Sequence, residues 1–232
     1  MPDDERVAAA WARIETALAR ALPESLEFLP APAAAADVDA AEAALGVRLP
    51  ADFRTSLLVH NGTTWGMPSP VPLDQLYDAA ELVEWTGHWR DNASDDPVFD
   101  TPGVWAYRID RSDLHVNGPV RPLVGAPGQV PVGTMNGDVH WYLDLDPPPG
   151  GARGQVVRVD VECSMWDVLA PSWAGLLLAY AEDLERYLED PAGSALHIDR
   201  GAGPACEWGT APDFTGERPA WLRGVQAVDP YA

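Results

Sequence analysis

The segment 37–62 constrains the fold of this chain more than any other, because it carries the signals of two short helices joined by a turn of fixed length. Its first apolar residues repeat at helical spacing, and these are Val38, Ala41 and Leu45. Asp37 is a residue type that caps the start of a helix. Gly46 adopts the left-handed conformation of a helix C-terminus without strain. The pattern therefore predicts a helix capped by Asp37 that stops at Gly46.

A second helix is predicted directly after the first. Pro50 suits the first helical position, because its missing N–H would be unpaired there, and Asp52 places a negative charge at the positive end of the helix dipole. The apolar face of this helix consists of Phe53, Leu57 and Leu58. Asn61-Gly62 then supplies a second helix stop.

The second half of the chain contains strand signals followed by a helix. Asn136-Gly137 separates two β-rich runs and predicts a hairpin, because a tight primed turn needs positive φ at both central residues. Valines alternate with polar residues over 157–162, which predicts a strand in a sheet with one face in water. Ser172 follows a proline and begins a predicted amphipathic helix that runs to Leu188.

Together these signals resemble the SMI1/KNR4 family of the SUKH superfamily. The residues that carry the resemblance are Glu42, Leu45, Gly46, Leu49, Pro50, Asp52, Phe53, Asn61 and Gly62. Segments 129–134, 139–146 and 154–161 are similar to the family's strands in the family's order, and 172–188 falls at its last helix. The resemblance covers about residues 36–189. It implies an α+β fold, a SUKH-type domain with helices packed on a mainly antiparallel sheet.

The chain is expected to have three parts. Residues 1–28 form an N-terminal extension, because the apolar residues of Asp3–Leu22 follow one stripe of a helix. Residues 29–190 form the SMI1/KNR4-like domain, in which a further helix is predicted over Leu73–Trp85. Residues 191–232 form a C-terminal tail rich in glycine and proline, and its aromatic residues are expected to pin it to the domain.

The charge balance restricts the partners of the chain. With 36 acidic and 15 basic residues, the formal net charge is -21 at pH 7. Such a protein is repelled by phosphate backbones and by anionic bilayers, so we expect neither nucleic acid nor membrane as a partner. The charge favours either solubility, as an ordinary solvated acidic surface, or rapid capture of a basic protein partner through electrostatic steering. The acidic residues at positions 3–5 and the lack of a run of about 20 apolar residues predict a cytoplasmic location.

Signatures of catalysis and of cofactor or metal binding are sparse. The sequence contains no nucleophile elbow, Walker loop, dinucleotide fingerprint or paired-histidine zinc helix, so we expect no enzyme, no cofactor and no metal. Asp144 and Asp146 offer two carboxylates to a divalent cation, but their place between a strand and a Pro/Gly turn favours a structural role. Cys163 and the distant His140 have the residue types of a nucleophile and its base, but nothing else in the sequence marks them as a catalytic pair.

One aromatic and acidic patch is the candidate partner-binding site. Trp85 and Trp89 lie four residues apart and are followed by a run of aspartates, namely Asp91, Asp95, Asp96 and Asp100. A tryptophan anchor with a charged rim has the composition of an interface hot spot. The alternatives are buried tryptophans and a solvated acidic loop.

The resemblance implies a protein-binding module rather than an enzyme. In bacteria such domains resemble immunity proteins, which bind a cognate polymorphic toxin and neutralise it, so the expected partner is a basic toxin domain. The fungal members imply the alternative, a cytoplasmic regulatory or scaffold protein of the kind that regulates cell-wall assembly. Neither the oligomeric state nor the identity of the partner follows from the sequence.

Overall fold

A computed structural model describes residues 3–91, 115–194, 196–199 and 205–208. The helices in these residues are α1 (Asp3–Ala21), a 3₁₀ helix (Pro23–Phe28), α2 (Ala35–Leu45), α3 (Ala51–Leu57), α4 (Ala79–Asp91) and α5 (Trp173–Glu189). The strands are β1 (Gln75–Leu76), β2 (His115–Asn117), β3 (Gln129–Met135), β4 (Val139–Asp144), β5 (Gln155–Asp160), β6 (Met165–Ala170), β7 (Leu196–Asp199) and β8 (Ala205–Trp208).

Six of the strands form one sheet in the order β1-β3-β4-β5-β6-β2. Neighbouring strands are antiparallel, except that β2 runs parallel to β6. Strands β7 and β8 pair antiparallel with each other. Helices together with a mostly antiparallel sheet confirm the predicted α+β class.

The main hydrophobic core lies between the helices and one face of the sheet. Helices α1 and α5 pack along each other and both contribute to this core, so α1 is an integral part of the packing. The indole N–H of Trp11 donates to Ser56 Oγ (2.9 Å) and ties α1 to α3. In the described part of the chain no helix is both long enough and apolar enough to cross a bilayer.

The second face of the sheet is also buried, so the prediction of a wet face is wrong. Val157 and Val159 of β5 are fully buried, and they pack with Tyr142 and Trp166 of the neighbouring strands. The residues that cover them from outside the sheet are Trp89, Val120 and Val124. This valine cluster is the second core. The residue between the two valines, Arg158, points to the opposite face and is also buried, 3.6 Å from Asp167 and 3.7 Å from Asp160, so alternation along β5 separates the second core from a buried ion cluster rather than from solvent.

The first predicted helix is confirmed, but its start differs. Helix α2 begins two residues before Asp37, which lies in the first turn and does not cap it. Gly46 ends the helix in the left-handed conformation with φ 72°, as predicted. Pro50 is the N-cap of α3 rather than its first residue, and that helix ends at Leu57, before Asn61.

The helix predicted over Leu73–Trp85 lies further along the chain. Residues 75 and 76 pair with β3, and α4 begins only at Ala79. Asp78 and Glu81 form a reciprocal cap, in which Asp78 Oδ1 accepts from the Glu81 N–H (2.8 Å) and Glu81 Oε2 accepts from the Asp78 N–H (2.9 Å). This cap and the strand pairing fix the start of the helix.

Two local predictions are confirmed. Asn136 and Gly137 have φ angles of 55° and 81° and close the β3–β4 hairpin. Ser172 caps α5 with its hydroxyl oxygen, which accepts from the Gly175 N–H (3.1 Å).

Candidate functional site

Glu42 is a buried carboxylate and the first residue of the Glu-x-x-Leu-Gly motif. It accepts a hydrogen bond from the Leu49 N–H (2.9 Å) and charge-assisted bonds from Arg48 (2.8 Å) and Arg54 (3.2 Å). Arg54 also donates to Asp39 (2.6 Å). Because a buried carboxylate requires such partners, this network explains the glutamate as a brace between α2 and the turn before α3.

Asp52 is a second buried carboxylate, and it acts on a distant helix. Its Oδ1 accepts from the Phe53 N–H (2.9 Å), whereas its Oδ2 accepts from the Ala174 N–H (2.9 Å) in the first turn of α5. The ring of Phe53 packs edge-on against Trp173 (4.9 Å between centroids). Asp52 therefore caps α5 from outside, a role that the sequence did not reveal.

The Asn61-Gly62-Thr63 segment holds the start of α4. Asn61 Oδ1 accepts from the Ala79 N–H (3.1 Å), and the Thr63 hydroxyl accepts from the Leu76 N–H (2.8 Å). Gly62 has φ 71°, and a Cβ at this position would lie 2.6 Å from the Leu76 carbonyl oxygen. The residues of the motif thus brace the fold.

The two tryptophans of the predicted patch occupy different environments. Trp89 is only 5% exposed, and it packs edge-on against Tyr142 and His140 in the second core. Trp85 is half-buried and stacks on Tyr77 with centroids 5.3 Å apart and planes 4° apart. Of the predicted aromatic anchor, only Trp85 reaches the surface.

Of the four aspartates in the predicted patch, the structure describes only Asp91. Asp91 is exposed and is the last residue of α4. Asp95, Asp96 and Asp100 lie outside the described residues. Glu84 and His88 of α4 are also exposed and lie 3.7 Å apart (His88 Nε2 to Glu84 Oε1). The role of this patch in partner binding stays a prediction.

The most exposed aromatic side chain lies elsewhere, in residues 64–68, the Trp65 loop. Trp65 is 65% exposed and Met67 is 50% exposed. Among the residues that the structure describes, Leu58 at 36% is the third large hydrophobic side chain in this class. Large apolar side chains exposed together are typical of interaction surfaces.

The backbone of the Trp65 loop is held against the 3₁₀ helix. The Thr64 N–H donates to the Phe28 carbonyl oxygen (2.9 Å). At Gly66 a Cβ would collide with the Phe28 ring, so only glycine permits this close approach. The loop therefore presents its two exposed side chains from a fixed base. No periodic pattern in the sequence singled out this loop, although Trp-Gly-Met-Pro over 65–68 is a recognisable signal of a turn.

Asp144 and Asp146 have partners within their turn. Asp144 is buried, and it accepts from the Asp146 N–H (3.1 Å) and from Gln155 Nε2 (3.3 Å). Burial raises the pKa of the Asp144 carboxyl. Asp146 lies 3.3 Å from Arg121 Nη1. No cluster of three or more metal-ligating side chains occurs within the described ranges, and these contacts favour the structural role of the pair.

Cys163 and His140 differ in their surroundings. The Cys163 thiol is exposed, and the negative charge of Asp160 raises its pKa. A raised pKa lowers the fraction of reactive thiolate. His140 is buried, burial lowers its pKa, and its Nε2 lies 2.9 Å from the Gly137 carbonyl oxygen. Neither group has the environment of an activated nucleophile or its base.

Comparison with known proteins shows a family and several fungal relatives. The model of the SMI1 / KNR4 family (SUKH-1) matches residues 32–179. A KNR4/SMI1 homolog of Yarrowia lipolytica is 27% identical over 80% of this chain and 31% of that protein. The cell wall biosynthesis/cell cycle regulator smi1 of Schizosaccharomyces pombe is 30% identical over 76% of this chain and 36% of that protein. The cell wall assembly regulator SMI1 of Saccharomyces cerevisiae is 25% identical over 76% of this chain and 40% of that protein.

The chain thus spans between 31% and 40% of the length of these three relatives. The names of two of them describe regulators of cell-wall processes, which fits the regulatory alternative better than toxin immunity. The matched range includes the buried carboxylates Glu42 and Asp52 and the sheet from β1 to β6. The chain belongs to the SMI1/KNR4 (SUKH-1) family.

Proposed function

We propose that this chain is a non-enzymatic, cytoplasmic protein-binding domain with a regulatory role, and that the Trp65 loop is part of its contact surface. The observation that carries the proposal is the exposure of Trp65 and Met67 on a loop whose backbone is fixed by Phe28. Tryptophan is enriched among the residues that dominate binding energy in interfaces. A fixed backbone reduces the entropy that is lost on binding.

The names of the relatives support the regulatory part of the proposal. Two of them are named as regulators of cell-wall biosynthesis or assembly. Family membership extends this expectation to the present chain, so a role in the regulation of cell-wall assembly is the first process to test. The relatives are longer, and their activities enter here as hypotheses.

The chemistry of the described residues supports a binding role over catalysis. The buried carboxylates Glu42 and Asp52 are engaged by arginines and backbone N–H groups. The environment of Cys163 disfavours its thiolate. Neither set of groups has the geometry of a general acid, base or nucleophile.

Site-specific photo-crosslinking tests the proposal. A photoreactive phenylalanine derivative replaces Trp65 in one variant and the exposed Glu189 of α5 in a control. We expect a discrete protein adduct from position 65 that is absent from position 189, with the captured protein identified by mass spectrometry. Identical adducts from both positions, or no adduct from position 65, would contradict the proposal.

Toxin immunity is the second candidate function, and the formal net charge of -21 is the observation that favours it. An acidic surface can occlude the active site of a toxin that acts on an anionic substrate. The test is calorimetry, at two salt concentrations, of binding to the product of the adjacent gene. Tight, salt-sensitive binding that abolishes the neighbour's toxicity would support immunity, and no binding would leave the regulatory proposal.

The aspartates of the predicted patch, Asp91, Asp95 and Asp96, are proposed to attract such a basic partner. Replacing Asp91, Asp95 and Asp96 with serine removes three negative charges. We expect slower association and a weaker dependence of the association rate on salt, because steering by these charges is lost. Stopped-flow measurements at low and high salt provide the check. Association rates equal to those of the native chain would show that these aspartates do not steer the partner.

A further inference from the structure

The 3₁₀ helix that contacts the Trp65 loop carries two exposed acidic residues. The 3₁₀ helix ends at Phe28, whose carbonyl oxygen accepts from the Thr64 N–H. Glu24 and Glu27 are both exposed on that helix. Side chains three residues apart eclipse each other in a 3₁₀ helix, so the two carboxylates lie on the same side. The helix that contacts the exposed apolar loop through Phe28 therefore carries two exposed carboxylates, here called the acidic flank.

These carboxylates are unpaired within the described ranges. No arginine or histidine of those ranges forms an ion pair with Glu24 or Glu27. Arg20, in the last turn of α1, is the nearest basic residue along the chain, and it forms an ion pair with neither. By contrast, the buried Glu42 is neutralised by two arginines. The flank of the loop thus keeps its negative charge available to a partner.

Resting on the proposed function, we infer that the Trp65 loop and the 3₁₀ helix bind a protein segment that carries both apolar and basic side chains. Trp65 and Met67 supply the apolar contact area. Glu24 and Glu27 supply charge complementarity for arginine or lysine at the rim. The formal net charge of -21 attracts such a segment over a longer range.

The negative charge of Glu24 and Glu27 disfavours two other binding partners, a second copy of this chain and an anionic bilayer. In a symmetric dimer the same patch meets itself, which would bring the carboxylates of both copies to one interface. An anionic bilayer would be repelled by the same groups. A basic and apolar protein segment is the occupant that satisfies both the exposed side chains and their acidic flank.

Fluorescence anisotropy with short synthetic peptides tests the inference on the full chain. The probe is a labelled peptide of alternating arginine and leucine. One comparison peptide has glutamate in place of arginine, and the other has serine in place of leucine. The protein variants are W65S/M67S, E24Q/E27Q and the control E162Q/E189Q, which removes the same number of charges from exposed positions.

We expect the arginine-leucine peptide to bind the native chain and the control variant equally. W65S/M67S should weaken binding about tenfold or more, as loss of a hot spot does. E24Q/E27Q should weaken it severalfold and reduce its salt dependence. Both comparison peptides should bind more weakly than the probe. Thermal melts of the variants should match that of the native chain, because all the replaced side chains are exposed.

Three results would overturn the inference. If E24Q/E27Q and E162Q/E189Q change the peptide affinity equally, the inferred preference for basic segments is wrong. In that case, weaker peptide binding by W65S/M67S would still support the proposed function. Unchanged binding by W65S/M67S would remove the loop as the docking site of this peptide, and the crosslinks from position 65 would then decide the proposed function separately. A concentration-dependent dimer in light scattering that W65S/M67S abolishes would identify a second copy as the occupant.

Discussion

Asp52 shows how one residue of a short motif stabilises a distant part of the chain. Its carboxylate accepts from Ala174 at the start of α5, which lies 122 positions away. We expect Asp52→Ala to lower the free energy of unfolding by about 1–2 kcal/mol, because a capping acceptor is lost in a buried site. The exposed Asp37→Ala removes only a charge near a helix start and should cost less than about 1 kcal/mol. Urea titrations measure both, and equal losses would contradict the role assigned to Asp52.

We expect His140, which packs beside the second core, to make the stability of the fold depend on pH. Burial lowers its pKa from the ordinary value of 6.5, and its ring packs against Trp89. Below that value the unfolded chain binds a proton that the folded chain does not, so the free energy of unfolding falls as the pH falls. The raised pKa of Asp144 acts with the opposite sign, in the more acidic range above 3.8.

The histidine effect is measured by urea titration at about pH 7.5 and about pH 5.5. We expect the native chain to lose stability between these values and the His140→Gln variant to lose less, because glutamine does not titrate. A drop in the variant as large as that of the native chain would place the pH dependence elsewhere.

At the scale of elements, Gly62 determines how closely the end of the helical motif approaches β1. It has φ 71°, and an added Cβ would lie 2.6 Å from the carbonyl oxygen of Leu76. We expect Gly62→Ala to destabilise the fold by about 2 kcal/mol or more, through backbone strain and this collision. Gly87, inside α4, has open space around it.

The matched change Gly87→Ala should therefore stabilise the fold by about 0.5–1 kcal/mol, because alanine is the better helix former. Thermal or urea unfolding compares the two variants. Similar effects of both substitutions would show that the close approach at Gly62 has no energetic importance.

Elements whose ends are fixed by local signals were predictable from the sequence. The hairpin follows from Asn136-Gly137 and the start of α5 from Ser172, because each carries its turn or cap within a few residues. The start of α4 also carries a local signal, the Asp78/Glu81 cap, which the prediction of a helix from Leu73 overlooked, whereas Asn61 and the pairing of β1 with β3 hold it from a distance. Apolar periodicity alone does not contain such contacts.

For the predicted partner-binding patch, the sequence indicated the residue types but not which side chains reach the surface. Trp85 and Trp89 were expected to form one anchor with an acidic rim, but α4 turns Trp89 into the second core, where Val120 and Val124 complete its packing. The buried second face of the sheet has the same cause, because the covering residues come from outside the strands. Trp65 gave no periodic signal, since its exposure depends on the contact between Gly66 and Phe28.

At the scale of the whole molecule, packing on both faces of the sheet leaves little apolar surface in the described residues. Trp65 and Met67 of the Trp65 loop are the main exceptions, in a chain with a formal net charge of -21. A rigid scaffold, a small apolar contact and a strongly acidic surface together favour recognition of a basic protein partner.

The most direct test of this account is the affinity of the partner identified by crosslinking, measured by calorimetry for the native chain and for W65S/M67S. We predict binding at least about tenfold weaker in the variant, with an unchanged thermal midpoint, because the two side chains contribute to the interface and not to the core. Equal affinities for the native chain and the variant would contradict the claim that the Trp65 loop is the protein-binding surface.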